Sequence, residues 1–404
     1  MTRIHHLATS FDEGGAAASA ARIVRGSRLR EDECTKADRS ALSIRPREFP
    51  AWLAIRSQKS SNPVHRSLNI LPSKVVKDTD LALLDAIHLH WVGDELISIR
   101  QIGTLAQTVP VVWTLHDTWA FTGADHHPKD ETDIRYRVGY TRESRLPGDG
   151  RIDVDAWVFR RKMRAWKSPM WLVAPSSHVM KMAQESVLAS SWPVTVIPNP
   201  VDCEVFTAAS PVDRVDLRRK LGVYGDEPII FFGSGSRAAY TKGMDLLEWS
   251  LHELRRRFPR AQFMTFGPES NELPDWVDQI GFVADESSLR NLYAAADVVL
   301  VPSRFETFSQ VAAEAQACGA PVAAFATSGL LDVVSEGETG FLAKGFDPLA
   351  LADAAEQVIA AGEPMRQAAR GRAERLWAMP VVGKQYADWY ERAIREFHER
   401  LETR

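Results

Sequence analysis

The sequence predicts an α/β protein made of two Rossmann-like domains, each a parallel sheet wrapped by crossover helices. Three observations carry this. The chain has 404 residues, more than a single core usually organises. Short β-branched runs alternate with amphipathic helical stretches along its length, the pattern of repeated β-α-β units. Near the middle the segment Ile197-Pro-Asn-Pro-Val-Asp202 interrupts that pattern, because Pro198 and Pro200 restrict the backbone and stop a helix. The expected domains are residues 1–200 and 201–376. The stretch from Trp377 to Arg404 reads as helix.

In the first half the strands are expected at Arg3–Ala8, Ala86–His90, Val111–Thr114, Trp171–Ala174 and Val194–Ile197. In the second half they are expected at Ile229–Phe232, Gln262–Phe266, Val298–Val301 and Pro321–Phe325. Short apolar runs bounded by turn residues are the signature of strands buried on both faces. The Ala-rich stretch Gly15–Leu29 reads as the helix after the first strand. The region Gly123–Gly150 is polar, rich in His and Arg, and weakly patterned, so it reads as a long loop.

Hydrophobic residues make up 45% and charged residues 25%, which suits a soluble globular protein. Cys34, Cys203 and Cys318 have no metal or disulfide spacing, which fits a reducing compartment. No apolar run is long enough to span a bilayer, and the first residues lack the h-region of a signal peptide. The expected location is cytoplasmic. Residues 1–200 hold 27 Lys+Arg against 22 Asp+Glu, and the remainder 22 against 31, giving +5 and −9. A basic first half suits an anionic membrane face or a phosphorylated acceptor. Charges decorating solvated faces explain the split equally well. No segment resembles a nucleic-acid module.

The chemistry concentrates between Val298 and Phe341. Glu306 follows the strand Val298–Val301 and falls in the strand-to-helix loop, while Glu314 lies in the helical stretch VAAEAQAC. Thr307, Phe308 and Ser309 open that helix, with Ser309 as the expected N-cap. A helix N-terminus offers free N–H groups and positive potential, which suit phosphate. Carboxylate, phosphate nest and carboxylate in a row match the order of a nucleotide-sugar: sugar hydroxyls, diphosphate, ribose hydroxyls. Upstream, Gly233-Ser234-Gly235-Ser-Arg237-Ala-Ala-Tyr-Thr-Lys242-Gly243 follows another strand. Its glycines allow close approach to a diphosphate, and Arg237 and Lys242 supply positive charge.

Gly233-x-Gly235-x-x-Ala238 also matches a dinucleotide-binding fingerprint. That reading needs an acid at the end of the next strand, which instead closes on Phe266-Gly267.

In the first half, Gly14-Gly15 precedes an Ala-rich helix and either places N–H groups at a ligand or makes a plain tight turn. The strand Val111–Thr114 delivers His116 to its carboxyl edge, where open α/β sheets bind ligands. A histidine there can bond a sugar hydroxyl or move a proton. Asp117 beside it either orients a loop or meets an acceptor. Trp119 and Phe121 can form a sugar-stacking wall, although core packing is the more common fate of such aromatics. His90 has two readings, a ligand contact or a satisfied structural histidine. His126-His127 lacks a carboxylate or cysteine at metal-ligand spacing, so no metal site is expected.

The stretch Val298–Phe341 resembles the glutamate-x7-glutamate motif of the retaining glycosyltransferases of family 4, whose GT-B fold sets two Rossmann-like domains facing across a cleft. ACGAPVAAF and SEGETGF resemble the family's strand into the donor site and its following loop. Arg237-x4-Lys242-Gly243 resembles its basic pair, Gly14-Gly15 its glycine-rich first loop, and His116 its histidine at the reacting sugar. Ile197–Asp202 resembles its interdomain connection, with Pro200 where Gly is usual.

The resemblance implies transfer from a nucleoside-diphosphate sugar with retention and without a metal or other cofactor. It places Phe282 and Val283 where backbone groups hold the base, Glu314 at the ribose and Glu306 at the sugar ring. It also implies that the tail packs back on the first domain. The nearest likeness is to bacterial enzymes of exopolysaccharide, capsule or lipopolysaccharide assembly. A saccharide or lipid-linked acceptor reached at the inner membrane face is therefore expected. Relatives with a similar His-Asp-x-Trp-x-Phe-Thr-Gly segment carry cysteines in the next loop; this chain has none, which points to a different acceptor. The alternatives are a catalytically silent nucleotide-sugar binder and an NAD-dependent oxidoreductase.

Overall fold

The computed structural model describes residues 2–12, 14–27, 51–75, 81–233, 239–270, 273–283 and 285–403, and the backbone of 34–37 and 45–50. The chain divides into two units, one formed by Met1–Ile197 with Val382–Arg404 and one by Pro198–Val381.

The first unit carries six strands: β1 Ile4–Leu7, β2 Cys34–Ala37, β3 Ala86–Leu89, β4 Val111–Thr114, β5 Trp171–Ala174 and β6 Val194–Val196. They form one sheet in the order β2-β1-β3-β4-β5-β6, every pair parallel. The side chains of β1, β3, β4 and β5 are buried throughout, as expected for strands covered by helices on both faces. From Val382 onward the tail helix Met379–Glu402 belongs to this unit and packs Tyr386, Trp389, Tyr390, Ala393 and Phe397 against Ile4, Val112, Trp171 and Val173. Gly383 is the closest approach: a Cβ there would lie 1.8 Å from the Gly26 carbonyl oxygen.

The second unit carries β7 Ile229–Gly233, β8 Gln262–Phe266, β9 Val277–Gly281, β10 Val298–Val301, β11 Val322–Phe325 and β12 Gly340–Ala343. Their order is β12-β11-β10-β7-β8-β9, again all parallel. Alternate residues feed two cores. Ile229, Phe231, Val299 and Val301 face the helices Glu286–Ala295 and Gln310–Ala317. Ile230, Phe232, Val298 and Leu300 face Leu247, Leu251 and Leu254 and the helical segment Pro348–Trp377, which is broken by a kink at Gly362. Each such side chain contributes about 1.5–3 kcal/mol by leaving water.

Three differences from the sequence reading have physical causes. The helix expected over Trp377–Arg404 breaks at Ala378, which is extended at φ −55° and ψ 136°. Pro380 has no N–H to carry the preceding helix onward. The helix expected to reach Leu29 ends at Gly26, as its last amide bonds close at Ser27. The first part of the loop 123–150 is packed rather than loose: Asp125, His126, Asp133, Arg135, Tyr136 and Tyr140 are buried, while 141–150 stay exposed or half-buried. It includes one helical turn, Arg135–Val138. Arg66, bridged to Asp155 at 3.1 Å, pairs its backbone with Asp125.

Candidate active site

In the second sheet, chain order runs outward from the adjacent strands β7 and β10 in opposite directions. The carboxyl ends of strands at such a reversal leave a crevice that open α/β sheets use for ligands. Beyond β7, the expected phosphate contacts Ser234, Gly235 and Arg237 lie outside the described residues. Gly233 ends the strand where any side chain would strike the Phe266 ring, since a Cβ there would lie 2.2 Å from its nearest carbon.

The chain continues at a 3-10 turn, Tyr240–Lys242, and then at Gly243, which has φ +62°. A Cβ on Gly243 would lie 1.9 Å from the Pro302 carbonyl oxygen, so only glycine lets the loops after β7 and β10 meet. Several bonds lock them together. The Arg304 amide donates to the Thr241 carbonyl at 2.8 Å. The Arg304 guanidinium forks onto Asp245 at 2.6 Å for both nitrogens and lies over the Tyr240 ring. At the centre, Lys242 Nζ donates to Glu306 Oε1 at 2.8 Å, and Ser303 Oγ donates to the same oxygen at 2.7 Å. The Glu306 amide donates to Ser328 Oγ at 2.9 Å, and its carbonyl accepts from the Gly329 amide at 2.8 Å. The Glu306 side chain is 12% exposed and that of Lys242 34%. The result is a fixed carboxylate with an ammonium that still reaches solvent.

The residues after Glu306 divide. Thr307 is half-buried. Phe308 is a core residue, set edge-on against Trp377 at 5.7 Å, so only its backbone is available to a ligand. Ser309 occupies the N-cap position of the helix Gln310–Ala317, but its hydroxyl makes no capping bond. Its φ of +93° turns the side chain out of the geometry that N-caps use. That leaves the helix N-terminus without a side-chain cap, the arrangement that suits an anion. Glu314 lies one turn further on and is buried. Phe282 is exposed at the carboxyl end of β9, and Val283 packs onto the core.

The first sheet reverses direction between β1 and β3. Gly14 follows β1 with φ +92° and ψ 166°, a conformation open essentially only to glycine, and caps the helix Gly15–Gly26 without a side chain. His116 follows β4, and burial holds its imidazole down to about 4, with Asp117 pulling the other way. It is therefore neutral near pH 7. His116 Nε2 and His90 Nδ1 are 3.1 Å apart. Burial raises the Asp117 carboxyl, but the charge and hydrogen bond of His126 at 2.5 Å outweigh this and hold it at about 2. The other Asp117 oxygen accepts from the Trp119 amide at 2.8 Å.

Of the two readings of Trp119, core packing holds and the stacking wall does not form. Trp119 is 1% exposed, its Nε1 donates to the Ser67 carbonyl at 3.0 Å, and the Lys162 ammonium sits 3.6 Å above its ring. Phe121 is likewise buried. Ser303, Ser328, Arg304 and Asp245, which shape the Glu306 loop, were not legible, since lone serines and surface charges have no pattern. His6, which meets His90 at 2.9 Å, was missed because it lies 84 residues away in the chain.

Residues 227–361 match the family model described as glycosyl transferases group 1. The chain is 37% identical over 199 residues to a D-inositol 3-phosphate glycosyltransferase of Xylanimonas cellulosilytica, covering 45% of this chain and 46% of that protein. The protein of the same description from Geodermatophilus obscurus is 36% identical over 312 residues, covering 72% of this chain and 62% of its own length. The chain thus spans about half the length of the first of the curated relatives it matches. These relatives carry an inositol phosphate name rather than an exopolysaccharide, capsule or lipopolysaccharide one. The crystal structure of Anabaena HepE in complex with UDP-glucose aligns with a TM-score of 0.64 at 20% identity, over 96% of this chain and 99% of that one. At that identity the likeness shows the fold, GT-B, with its two all-parallel Rossmann-like sheets.

Proposed function

We propose that this chain, whose residues 227–361 match the family model of the group 1 glycosyl transferases, moves a sugar from a nucleoside-diphosphate sugar to a saccharide or lipid-linked saccharide, with retention and without a metal. The observation that carries the reading is the Lys242–Glu306 pair at the direction reversal of the second sheet. As the bond to the leaving diphosphate breaks, negative charge grows on phosphate. Lys242, with two further N–H donors, Arg237 and the helix N-terminus at Ser309 answer that charge. Glu306 holds hydroxyls of the sugar ring, and Glu314 the ribose. Phe282 and Val283 offer backbone groups to the base. In the first unit, glycines 14 and 15 offer backbone N–H groups to an anion, and His116 offers a neutral imidazole to a sugar hydroxyl.

A second reading takes its acceptor from the relatives' name, D-inositol 3-phosphate. Asp117 speaks for the neutral saccharide, because a carboxylate held ionised beside His116 repels an acceptor phosphate at that spot. Peripheral contact with an anionic membrane is supported by the helix Val154–Ala165, which exposes Trp157 and Met163 among Arg160, Arg164 and Lys167. No helix among the described residues is long and apolar enough to cross a membrane.

The test is a thermal-shift panel of UDP, GDP, ADP, dTDP, their sugar conjugates and NAD. A ligand at 100 times its dissociation constant adds about 2.7 kcal/mol of stability. A shift with one nucleotide family is expected, followed by transfer to saccharide acceptors in preference to inositol phosphate. A shift with NAD alone would overturn the reading, and nucleotide binding without any transfer would favour a silent homologue.

A further inference from the structure

Three histidines of the first unit form a continuous chain at the reversal point of its sheet. His6 Nδ1 lies 2.9 Å from His90 Nε2, and His90 Nδ1 lies 3.1 Å from His116 Nε2. His6 and His90 are 0% and 1% exposed, and their rings stack at 13°. His90 and His116 are also stacked, with centroids 5.4 Å apart. The three sit on β1, just after β3 and just after β4, so the chain crosses three adjacent strands.

Both joints have the same polarity, Nδ1 of one ring facing Nε2 of the next. A neutral imidazole carries one N–H, and each joint needs one donor and one acceptor. Only two neutral arrangements satisfy both joints. Either all three rings carry the proton on Nε2, so that His116 donates to His90 and His90 to His6, or all three carry it on Nδ1 and the direction reverses. A ring out of step would face two lone pairs, or two N–H groups, across a buried gap, at a cost typical of an unsatisfied buried polar group.

We propose that His6 and His90 are positioning residues that lock the tautomer of His116, so that the chain presents Nδ1 of His116 as a donor in one state and as an acceptor in the other. The locking itself needs only the geometry of the first unit. Its consequence for a sugar hydroxyl rests on the transferase reading above.

A metal ion is the competing use of such a cluster, since the nitrogens of His6, His88 and His90 lie within 4.8 Å of one another. Hydrogen bonding speaks against it. His88 spends Nδ1 on the Tyr390 hydroxyl at 2.7 Å and Nε2 on Thr114 Oγ1 at 2.8 Å. Thr114 Oγ1 is bonded in turn to the Tyr386 hydroxyl at 2.9 Å. His90 spends both nitrogens on histidines. Among the described residues, His88, Phe11, Tyr390 and Asp117 face the chain, and of these four Asp117 carries charge near neutrality.

The test is long-range proton–nitrogen NMR of the 15N-histidine protein at pH 7.5, which reads the tautomer of each ring. The three rings are expected to share one tautomer. His6→Phe keeps the aromatic volume and breaks the far joint, and it is expected to change the tautomer ratio of His116 two strands away. If a transferase assay is in hand, kcat falls by about 10-fold to 100-fold in that variant with donor KM nearly unchanged. His6→Asn, which restores a polar partner for His90, recovers part of the loss. Mixed tautomers in the wild type, or a His116 signal indifferent to His6→Phe in a folded protein, would overturn the proposal. So would stoichiometric zinc binding that abolishes the shared signature. Failure of every nucleotide-sugar to react would sink the transferase reading and leave the NMR result standing.

Discussion

Lys242 and Glu306, 64 residues apart, share a hydrogen bond of 2.8 Å that joins the turn after β7 to the loop after β10. The carboxylate is held from two sides, by Lys242 and by Ser303 Oγ, and its backbone is fixed by Ser328 and Gly329. Such a group is preorganised before any ligand arrives, which is the condition for electrostatic work on a transition state.

Lys242→Ala and Glu306→Ala are each expected to lower transfer by about 10²–10³ in kcat, the size of losing one preorganised group. Lys242 is a third exposed, so its ion pair adds no more than about 1 kcal/mol to stability. Both variants are therefore expected to stay folded and to melt within a few degrees of wild type. Near-normal turnover in either, measured with the nucleotide-sugar found in the panel, would remove that residue from the mechanism.

Gly243→Ala separates packing from charge at the same place. The new methyl meets the Pro302 oxygen at 1.9 Å, and φ +62° disfavours any Cβ. Backbone strain of this kind costs about 1–3 kcal/mol before the clash is counted. Denaturant unfolding is expected to show a loss of at least about 2 kcal/mol, the range of severe single substitutions. A variant as stable as wild type would mean that the two loops do not meet as described.

Ser309→Gly tests the strain at the helix entry. Ser309 is one of five described non-glycine residues with positive φ, and its value of +93° is the largest of them. Glycine relieves that strain but loses more entropy on folding, by about 0.5–1 kcal/mol. The net expectation is a gain of about 1 kcal/mol with transfer intact, since the serine hydroxyl makes no capping bond. A loss of donor affinity in a stable Ser309→Gly protein would instead give the hydroxyl a ligand to hold.

How much of this was legible depends on burial. The central strands β3, β4, β5, β7, β8, β10 and β11 stand out as continuous apolar runs because helices cover both their faces. The three unanticipated strands, β2, β9 and β12, are all sheet edges. Val277–Gly281 reads VDQIG, with only Val277 buried, and an edge strand needs no more. At the candidate site, a motif in register singles out Glu306, Glu314, Lys242 and His116, and of these the structure brings Lys242 and Glu306 into contact. Trp119 had two readings because an aromatic beside a strand end fits a wall or a core, and the buried Lys162 that decides for the core lies 43 residues on. The His6–His90 contact joins two strands that only the sheet order makes neighbours.

The buried histidines give the first unit a defined response to acid. Burial holds His88 and His90 well below 6.5, and His5 and His116 at about 4. The unfolded chain takes up these protons as pH falls through 6.5, while the folded unit refuses them until about 4. Unfolding therefore binds protons in that window, so stability rises with pH across it and is lost on acidification. A single shift from 6.5 to about 4 carries on the order of 3 kcal/mol, and the Asp117 carboxylate, held at about 2, stays ionised throughout. Melting temperature of the first unit's transition is expected to drop steeply between pH 6.5 and 4. His116→Gln, which cannot titrate, should give a shallower slope by about one proton. A slope unchanged by that substitution would mean that His116 is not held neutral by its surroundings, and the shared tautomer of the histidine chain would lose its footing with it.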